Sequence, residues 1–124
     1  MASMRAPAGS ARSGARAVGE RADAHVTAFN TAVTSSNWAP FLATFDDNAR
    51  LDFLCVPVGP FVGAEQIATA YRDNPPDDTI IARRVRSTVE TDQIHFDWSR
   101  GGSGVLRLSW TPEGRIADMV VEFR

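Results

Sequence analysis

The sequence predicts an α+β domain in which three helices pack on one face of a curved antiparallel sheet. Apolar residues recur at helical spacing in the first half of the chain. The last 48 residues instead alternate between apolar and polar side chains and contain the hairpin turns "SRGGSG" and "TPEG". One further strand is predicted before the third helix, and this order of elements is typical of α+β folds.

The three helices follow from spacing and from local start and stop signals. The first begins near Val18, from which apolar side chains recur every three or four residues as far as Val33. Ser36 or Asn37 can cap a second helix over "WAPFLATF", which we expect to end at "DDNA". The third is "AEQIATAYRDN", and the two prolines after it cannot continue a helix. Its inward residues are Ile67, Ala70 and Tyr71.

The first strand is predicted over "ARLDFLCV", which alternates and is rich in large apolar residues. Its inward residues are Ala49, Leu51, Phe53 and Cys55, and its outward residues are Arg50, Asp52, Leu54 and Val56. "PVGPFVG" is irregular or a short edge strand, because two prolines and two glycines are unsuited to a central ladder.

Three or four long strands are predicted over "TIIARRVRSTVE", "QIHFDWSR", "GVLRLSW" and "IADMVVEF". In the last three of these segments one face is apolar, and it must be the face that the helices cover. The residues of this face are Ile94, Phe96, Trp98, Leu106, Leu108, Trp110, Met119, Val121 and Phe123.

Composition narrows the classes of function. A chain of 124 residues supports one domain, predicted over residues 18–124. Its net charge is −2, but residues 1–21 carry +3 and the remainder −5, so no nucleic-acid-binding face is expected. All 13 basic residues are arginine, which excludes lysine Schiff-base chemistry. One cysteine and two histidines without ligand spacing predict no metal site, and we expect no cofactor.

The ends and the hydropathy of the chain predict its location. No run of 18 apolar residues exists, so no membrane span or membrane partner is expected. Residues 1–17 are rich in Ala, Gly, Ser and Arg and lack the apolar region of a secretory signal. We therefore expect a disordered tail and a cytoplasmic protein.

The order of two helices, the "FDDNARLDF" strand, the "PFVGAEQIATAY" helix and antiparallel strands closing with "GRIADMVVEF" resembles the nuclear transport factor 2-like superfamily over roughly residues 20–124. Its members include ketosteroid isomerases, polyketide cyclases of the SnoaL type, limonene-epoxide hydrolase and many proteins without known activity. The resemblance implies a cone-shaped α+β barrel with an internal pocket. It implies no single reaction, because this fold hosts many of them.

The resemblance also indicates where catalytic groups are expected. "HVTAFN" resembles the segment in which ketosteroid isomerases have a tyrosine that donates to the oxyanion, and His25 occupies that place. The place of the isomerase base falls on Phe53, with Asp52 one residue earlier and therefore on the opposite face of the strand. The places of the second oxyanion donor and of the hydrolase acid fall near Leu106 and Val121, which are apolar.

His25 and Asp52 are thus the candidate catalytic residues, and each has a structural alternative. Alternation groups Asp52 with Arg50 on the outer face, as a solvated or ion-paired carboxylate, unless a bulge turns it inward. His25 can instead be a structural histidine beside the apolar stripe of the first helix.

The inward side chains can line a ligand pocket or fill the core. Cys55 is expected to be a small buried hydrophobe rather than a nucleophile, because no nearby cation or helix terminus stabilises a thiolate. The residues predicted to line a pocket for an apolar small molecule are Phe29, Phe53, Cys55, Phe61, Tyr71, Trp98, Trp110 and Val121.

Charged residues are predicted on the outer sheet face. Pairing about the two hairpin turns places Arg107 opposite both Asp97 and Asp118, as a trio in a pocket or as an outer charged ladder. His95 shares the face of Asp97. By resemblance, this face of mixed charge, with Val105 between its charges, suits a homodimer interface.

The sequence therefore predicts a small-molecule pocket protein of the SnoaL or ketosteroid isomerase-like type. One hypothesis is an isomerase, cyclase or dehydratase that transfers protons on an apolar substrate. The alternative is a non-catalytic homodimeric ligand carrier or scaffold.

Overall fold

The computed structural model of the chain describes residues 19–124, so the tail predicted for residues 1–17 lies outside the described residues. Three helices and six strands form this part of the chain. The helices are α1 (Glu20–Ser35), α2 (Ala39–Leu42) and α3 (Ala64–Asp73). The strands are β1 (Phe45–Phe53), β2 (Phe61–Val62), β3 (Ile80–Ser87), β4 (Thr91–Trp98), β5 (Ser103–Trp110) and β6 (Ile116–Phe123).

All six strands belong to one sheet, in the order β2-β1-β6-β5-β4-β3. Neighbouring strands are antiparallel except β1 and β6, which are parallel. The predicted α+β class, the three helices and the short edge strand β2 are confirmed. The parallel pair joins the first and last strands of the described chain. None of the described helices is long and apolar enough to cross a bilayer.

The inner face of the sheet is the apolar face that alternation predicted. Trp98, Trp110 and Phe123 are partly buried on it, at the ends of their strands. The fully buried residues of this face are Ile94, Phe96, Leu106, Leu108, Met119 and Val121. From the helices, Ala22, Phe29, Phe41, Ile67 and Tyr71 complete the core. Burial of this set is the main favourable term in folding.

The boundary between the second helix and the first strand differs from the prediction. Helix α2 ends at Leu42, and "FDDNA", predicted to finish a helix and turn, is the first half of β1. Pairing with β6 overrides the weak strand propensity of Asp and Asn: Ile116 N donates to Thr44 O at 2.9 Å, and an Arg115 guanidinium nitrogen donates to Phe45 O at 2.7 Å. The register shifts between Phe45 and Arg50, where the strand bulges.

The predicted trio of Asp97, Arg107 and Asp118 is wrong. Asp97 lies opposite Ser103, Arg107 opposite Gln93 and Val120, and Asp118 opposite Ser109. A tighter turn between β4 and β5, in which Trp98 N donates to Gly102 O at 2.8 Å, separates Asp97 from Arg107, and a register shift between Ser109 and Trp110 separates Arg107 from Asp118. Gly101 and Gly102 have φ of 117° and 97°, values that suit glycine. All three residues lie on the outer face, where Asp97 pairs with Arg83 at 2.6 Å and Arg107 with Glu122 at 3.7 Å.

A buried ion pair ties the start of α1 to the sheet. Arg21 Nε donates to Asp92 Oδ2 at 2.6 Å, and its terminal nitrogens donate to Val89 O at 2.8 Å and Thr88 O at 2.5 Å. Trp110 Nε1 donates to the same Asp92 oxygen at 2.7 Å, and the Ser87 hydroxyl donates to the other oxygen. The Asp92 side chain has no exposed surface, so these donors replace the water that a buried carboxylate loses.

We expect Arg21→Met to lower the free energy of unfolding by about 3–5 kcal/mol, because it leaves the Asp92 carboxylate buried without its counter-ion. Urea unfolding followed by tryptophan fluorescence measures the loss.

Arg83→Met is the matched control, because the Arg83–Asp97 pair has the same 2.6 Å separation but side chains that are 61% and 40% exposed. Arg83→Met should lower the free energy of unfolding by no more than about 1 kcal/mol. Equal losses in the two variants would contradict the role given to burial. The double variant Arg21→Met/Asp92→Leu should recover part of the loss, because no charge is then buried alone.

Candidate functional site

A cavity of about 940 Å³ lies between α3, the segment that joins β1 to β2, and the ends of β1 and β6. Its volume is within the range of small-molecule sites, which is roughly 300–1,000 Å³. The residues that line it are Phe53, Val56, Val58, Gly59, Pro60, Phe61, Gln66, Thr69, Ala70, Tyr71, Asp73, Asn74, Pro76 and Phe123.

One side of the cavity is aromatic. The rings of Phe53 and Phe123 are 6.2 Å apart with only 3° between their planes. Phe61 stands at 78° to Phe53 with the ring centroids 6.4 Å apart. Val56, Val58 and Pro60 extend this apolar wall along the segment between β1 and β2. Such a wall binds apolar surface and selects little by hydrogen bonding.

The other side of the cavity is formed by α3 and carries the polar groups. Gln66, Thr69, Ala70 and Asp73 are spaced as i, i+3, i+4 and i+7, so they share one face of the helix. Gln66 Oε1 accepts a hydrogen bond from Val62 N at 2.9 Å, and Thr69 Oγ1 accepts one from Arg72 at 3.1 Å. The sequence prediction missed this face, although its helical spacing was a signal that could have found it.

Tyr71 lies at the inner end of this wall and is only 4% exposed. Its ring stacks on Trp38 at 5.1 Å and 25°, and it meets the Phe41 ring edge-on at 5.3 Å. Burial raises the pKa of the Tyr71 phenol above its ordinary value, so the hydroxyl keeps its proton at neutral pH. Tyr71 is therefore a rigid ring with a neutral hydroxyl.

Three of the predicted pocket residues, Phe53, Phe61 and Tyr71, line this cavity. Phe29 and Val121 are buried in the core, and Trp110 is bonded to Asp92. Trp98 borders a separate cavity of about 340 Å³ with Pro76, Asp77, Asp78 and Arg100.

The buried, inward position predicted for Cys55 is wrong. Strand β1 ends at Phe53, and Cys55 lies beyond it, exposed, with Sγ 3.3 Å from Phe123 O. Alternation no longer applies once the strand has ended, so the predicted face had no meaning at this position.

Asp52 lies on the outer face of β1, as its alternation with Arg50 predicted. Its carboxylate is 3.3 Å from an Arg50 nitrogen, and its partner on β6 is Val120. The bulge in β1 comes before Arg50 and does not turn Asp52 inward. Asp52 is not among the residues that line the cavity.

His25 lies in the core, one helical turn after Arg21, and is 4% exposed. Neither ring nitrogen has a hydrogen-bond partner among the described residues, and the Phe41 ring is 5.4 Å away. Burial lowers the pKa of His25 to about 4, partly offset by the negative charge of Asp92. The imidazole is therefore neutral at pH 7, and it too is absent from the cavity lining.

Comparison with known proteins identifies the fold. No family model matches the chain, and no curated protein matches it. A SnoaL-like protein of unknown function from Burkholderia thailandensis is 16% identical with a TM-score of 0.71, over 86% of this chain and 96% of that one. An NTF2-like protein of unknown function from Burkholderia xenovorans is 15% identical with a TM-score of 0.66, over 84% of this chain and 83% of that one. A putative ketosteroid isomerase from Kribbella flavida is 13% identical with a TM-score of 0.64, over 85% of this chain and 78% of that one.

At these low sequence identities the similarity concerns the fold. The described chain has the cone-shaped α+β fold of the nuclear transport factor 2-like superfamily, as the order of its elements predicted. Because the same fold occurs in proteins of different and unknown function, the chemistry must be argued from the cavity itself.

The buried imidazole predicts a loss of stability in acid. The His25 pKa of about 4 in the folded state is below the unfolded value of 6.5, so the unfolded chain binds the proton first. The stability that the neutral, buried His25 contributes is present above pH 6.5 and is lost as the pH falls towards 4. Between pH 7.5 and 5 we expect it to fall by about 2 kcal/mol in urea unfolding.

His25→Leu should remove this part of the pH dependence, because leucine cannot bind a proton. His95→Gln, which changes the other histidine on the outer sheet face, is the control and should retain most of the loss. A His25→Leu variant whose stability still falls by the full amount would show that other groups cause it.

Proposed function

We propose that the protein binds an apolar small molecule in the cavity between α3 and the β1–β2 segment. The observation that carries this proposal is the aromatic wall of Phe53, Phe61 and Phe123 around a space of about 940 Å³. An apolar concavity of this size is typical of sites that bind small molecules. The fold supports the proposal, because the superfamily implies a pocket.

Binding without turnover fits this cavity better than catalysis. Proton transfer needs acid and base groups within hydrogen-bond reach of the reacting atoms of one bound substrate. Among residues 19–124, Tyr71 and Asp73 are the titratable side chains in the lining, and Tyr71 is buried at the inner end of the cavity whereas Asp73 is exposed at the end of α3. The two residues predicted to be catalytic, His25 and Asp52, do not line the cavity.

An isomerase or cyclase that acts by proton transfer is the second candidate function. One observation favours it: the buried imidazole of His25 has no hydrogen-bond partner among residues 19–124, and the Phe41 ring beside it also contacts Tyr71 of the cavity. Movement of Phe41 could bring His25 and a bound substrate together. A substrate atom could then satisfy the unpaired nitrogens.

Binding is tested with the neutral fluorescent probe N-phenyl-1-naphthylamine. We expect saturable fluorescence enhancement, and we expect Phe53→Ala and Phe61→Ala each to weaken binding about tenfold, because each removes most of an aromatic side chain from the wall. Val89→Ala is the control, since Val89 is 81% exposed in the turn between β3 and β4. Equal binding by all three variants would place the probe elsewhere.

The same protein should be incubated with a panel of β,γ-unsaturated ketones to separate the two candidates. The binding proposal expects no turnover at any pH. Turnover that His25→Ala abolishes would favour the enzyme, and turnover that Asp52→Asn abolishes would restore Asp52 as its base.

We further propose a homodimer formed through the outer sheet face. Arg84 and Arg86 have no ion-pair partner among residues 19–124, and the Glu122 side chain on the same sheet face is 31% exposed. The arginines are on edge strand β3 and Glu122 is on β6, so a two-fold arrangement can bring the arginines of one copy against Glu122 of the other. Val105 and Val120 lie between them.

Sedimentation velocity at tens of micromolar protein should show a dimer. Arg84→Glu/Arg86→Glu should shift the species towards monomer, because it places like charges against Glu122 of the second copy, whereas Arg72→Glu on α3 should not. A wild-type protein that is entirely monomeric under these conditions would remove the proposal.

A further inference from the structure

Arginines lie close together on the outer sheet face, around one histidine. In the register of the sheet, Arg84 on β3 lies opposite His95 on β4. Arg86 on the same strand lies opposite Gln93, which in turn lies opposite Arg107 on β5. Residues paired in this way share one face of a sheet, with their Cβ atoms roughly 5 Å apart. Three arginines therefore surround the Gln93 and His95 side chains, which are themselves 3.0 Å apart.

Glu122 on β6 is the carboxylate that this group of arginines shares. Its Oε1 lies 3.7 Å from an Arg107 nitrogen and 3.6 Å from an Arg124 nitrogen, so two guanidinium groups already compete for it. Arg84 and Arg86 form no ion pair within the part of the chain that the structure describes. We call these four arginines and Glu122 the cationic patch.

The other carboxylates of the outer face have cations of their own. Asp97 pairs with Arg83 at 2.6 Å, and Asp52 pairs with Arg50 at 3.3 Å. Asp118 lies beside the same Arg50 in the register of β1 and β6. These carboxylates therefore do little to offset the positive charge of the cationic patch.

The cationic patch differs in sign from the rest of the folded chain. Its four arginines and one carboxylate carry a net charge of +3, whereas residues 19–124 together carry −5. Residues 1–18 contain no Asp or Glu, so they cannot neutralise the patch either. Burial and the positive charges of the four arginines lower the pKa of His95, so the imidazole is neutral at pH 7.5.

In the proposed homodimer two cationic patches face each other. Glu122 of one copy can approach Arg84 and Arg86 of the other, but one carboxylate for four arginines leaves each copy with an excess of positive charge. Like charges brought together across an interface are repulsive. A small oxyanion between the copies removes this repulsion, because its oxygens accept hydrogen bonds from guanidinium groups on both sides.

We infer that the homodimer holds inorganic phosphate, a tetrahedral oxyanion, between its two sheets, bound by Arg84, Arg86 and Arg107 of both copies. The inference rests on the proposed homodimer, because it concerns the same face. A guanidinium group donates two parallel hydrogen bonds to one oxyanion, which suits arginine to this role. One copy alone offers the anion only half of its donors, so the site is complete only in the dimer.

Sedimentation velocity at pH 7.5 tests the inference, with inorganic phosphate as the probe and the ionic strength held constant with sodium chloride. We expect about 10 mM phosphate to lower the dissociation constant of the dimer about tenfold, as one charge-assisted hydrogen bond allows. Arg107→Gln should lose most of this effect, because it removes a guanidinium group from each side of the anion. Arg72→Gln is the matched control: it removes the same charge from α3 and should retain the effect.

Proton NMR of the histidine rings gives a second readout, which a merely structural effect of Arg107→Gln does not reproduce. Sulfate is the probe in this experiment, because its charge does not change as the histidines titrate. Sulfate should raise the pKa of His95, because it offsets the arginines that lower it, and should leave the buried His25 unchanged. His95→Gln identifies the His95 signal.

The outcomes separate this inference from the homodimer on which it rests. Equal dissociation constants in phosphate and in chloride would overturn the inference and leave the homodimer standing, whereas a monomer in both salts would overturn both. A rise in the His95 pKa without any change in sedimentation would place the anion on a single copy and overturn its bridging role. If Arg107→Gln keeps the full effect of phosphate, the anion lies elsewhere and the inference is overturned.

Discussion

Asp92 is a buried carboxylate on the apolar face of the sheet, at the start of β4 and beside the β3–β4 turn, and residues from three elements hydrogen-bond to it. Arg21 from α1, Trp110 from β5 and Ser87 from β3 all donate to it. Arg21 also bonds two carbonyl groups of the turn between β3 and β4. Because a buried charge is costly without such partners, the pair holds α1, β3, β4 and β5 in one relative position.

This arrangement sets the electrostatics of the interior. His25 lies one turn beyond Arg21 on α1, and the charge of Asp92 only partly offsets the effect of burial, so the imidazole is neutral. The apolar interior around it is filled by Phe29, Phe41 and Trp38, whose rings are 5.4–5.8 Å apart. A ligand therefore has space at the edge of this cluster, beside Tyr71, rather than beside His25.

The cavity occupies the place where the regular structure ends. Phe53 and Phe123 are the last residues of the parallel strands β1 and β6, and the proline- and glycine-containing segment after β1 cannot continue the sheet. An apolar space remains between these strand ends and α3. The ends of the same parallel pair thus form one side of the proposed binding site, and its polar side chains come from α3 and from Asn74 directly after it.

The sequence by itself determined the class of fold and the covered face of the sheet. Side chains of Ile94, Leu106 and Val121 had to share a face with their neighbours at alternate positions, because alternation is local and holds whatever the pairing. Asp52 was assigned to the outer face for the same reason.

The tertiary structure decided the rest. Arg21 meets Asp92 across 71 residues, a pairing that no local pattern contains. The tight turn at Gly101 and Gly102 set a register that separates Asp97 from Arg107, and the end of β1 at Phe53 exposed Cys55, because register and strand ends depend on long-range pairing.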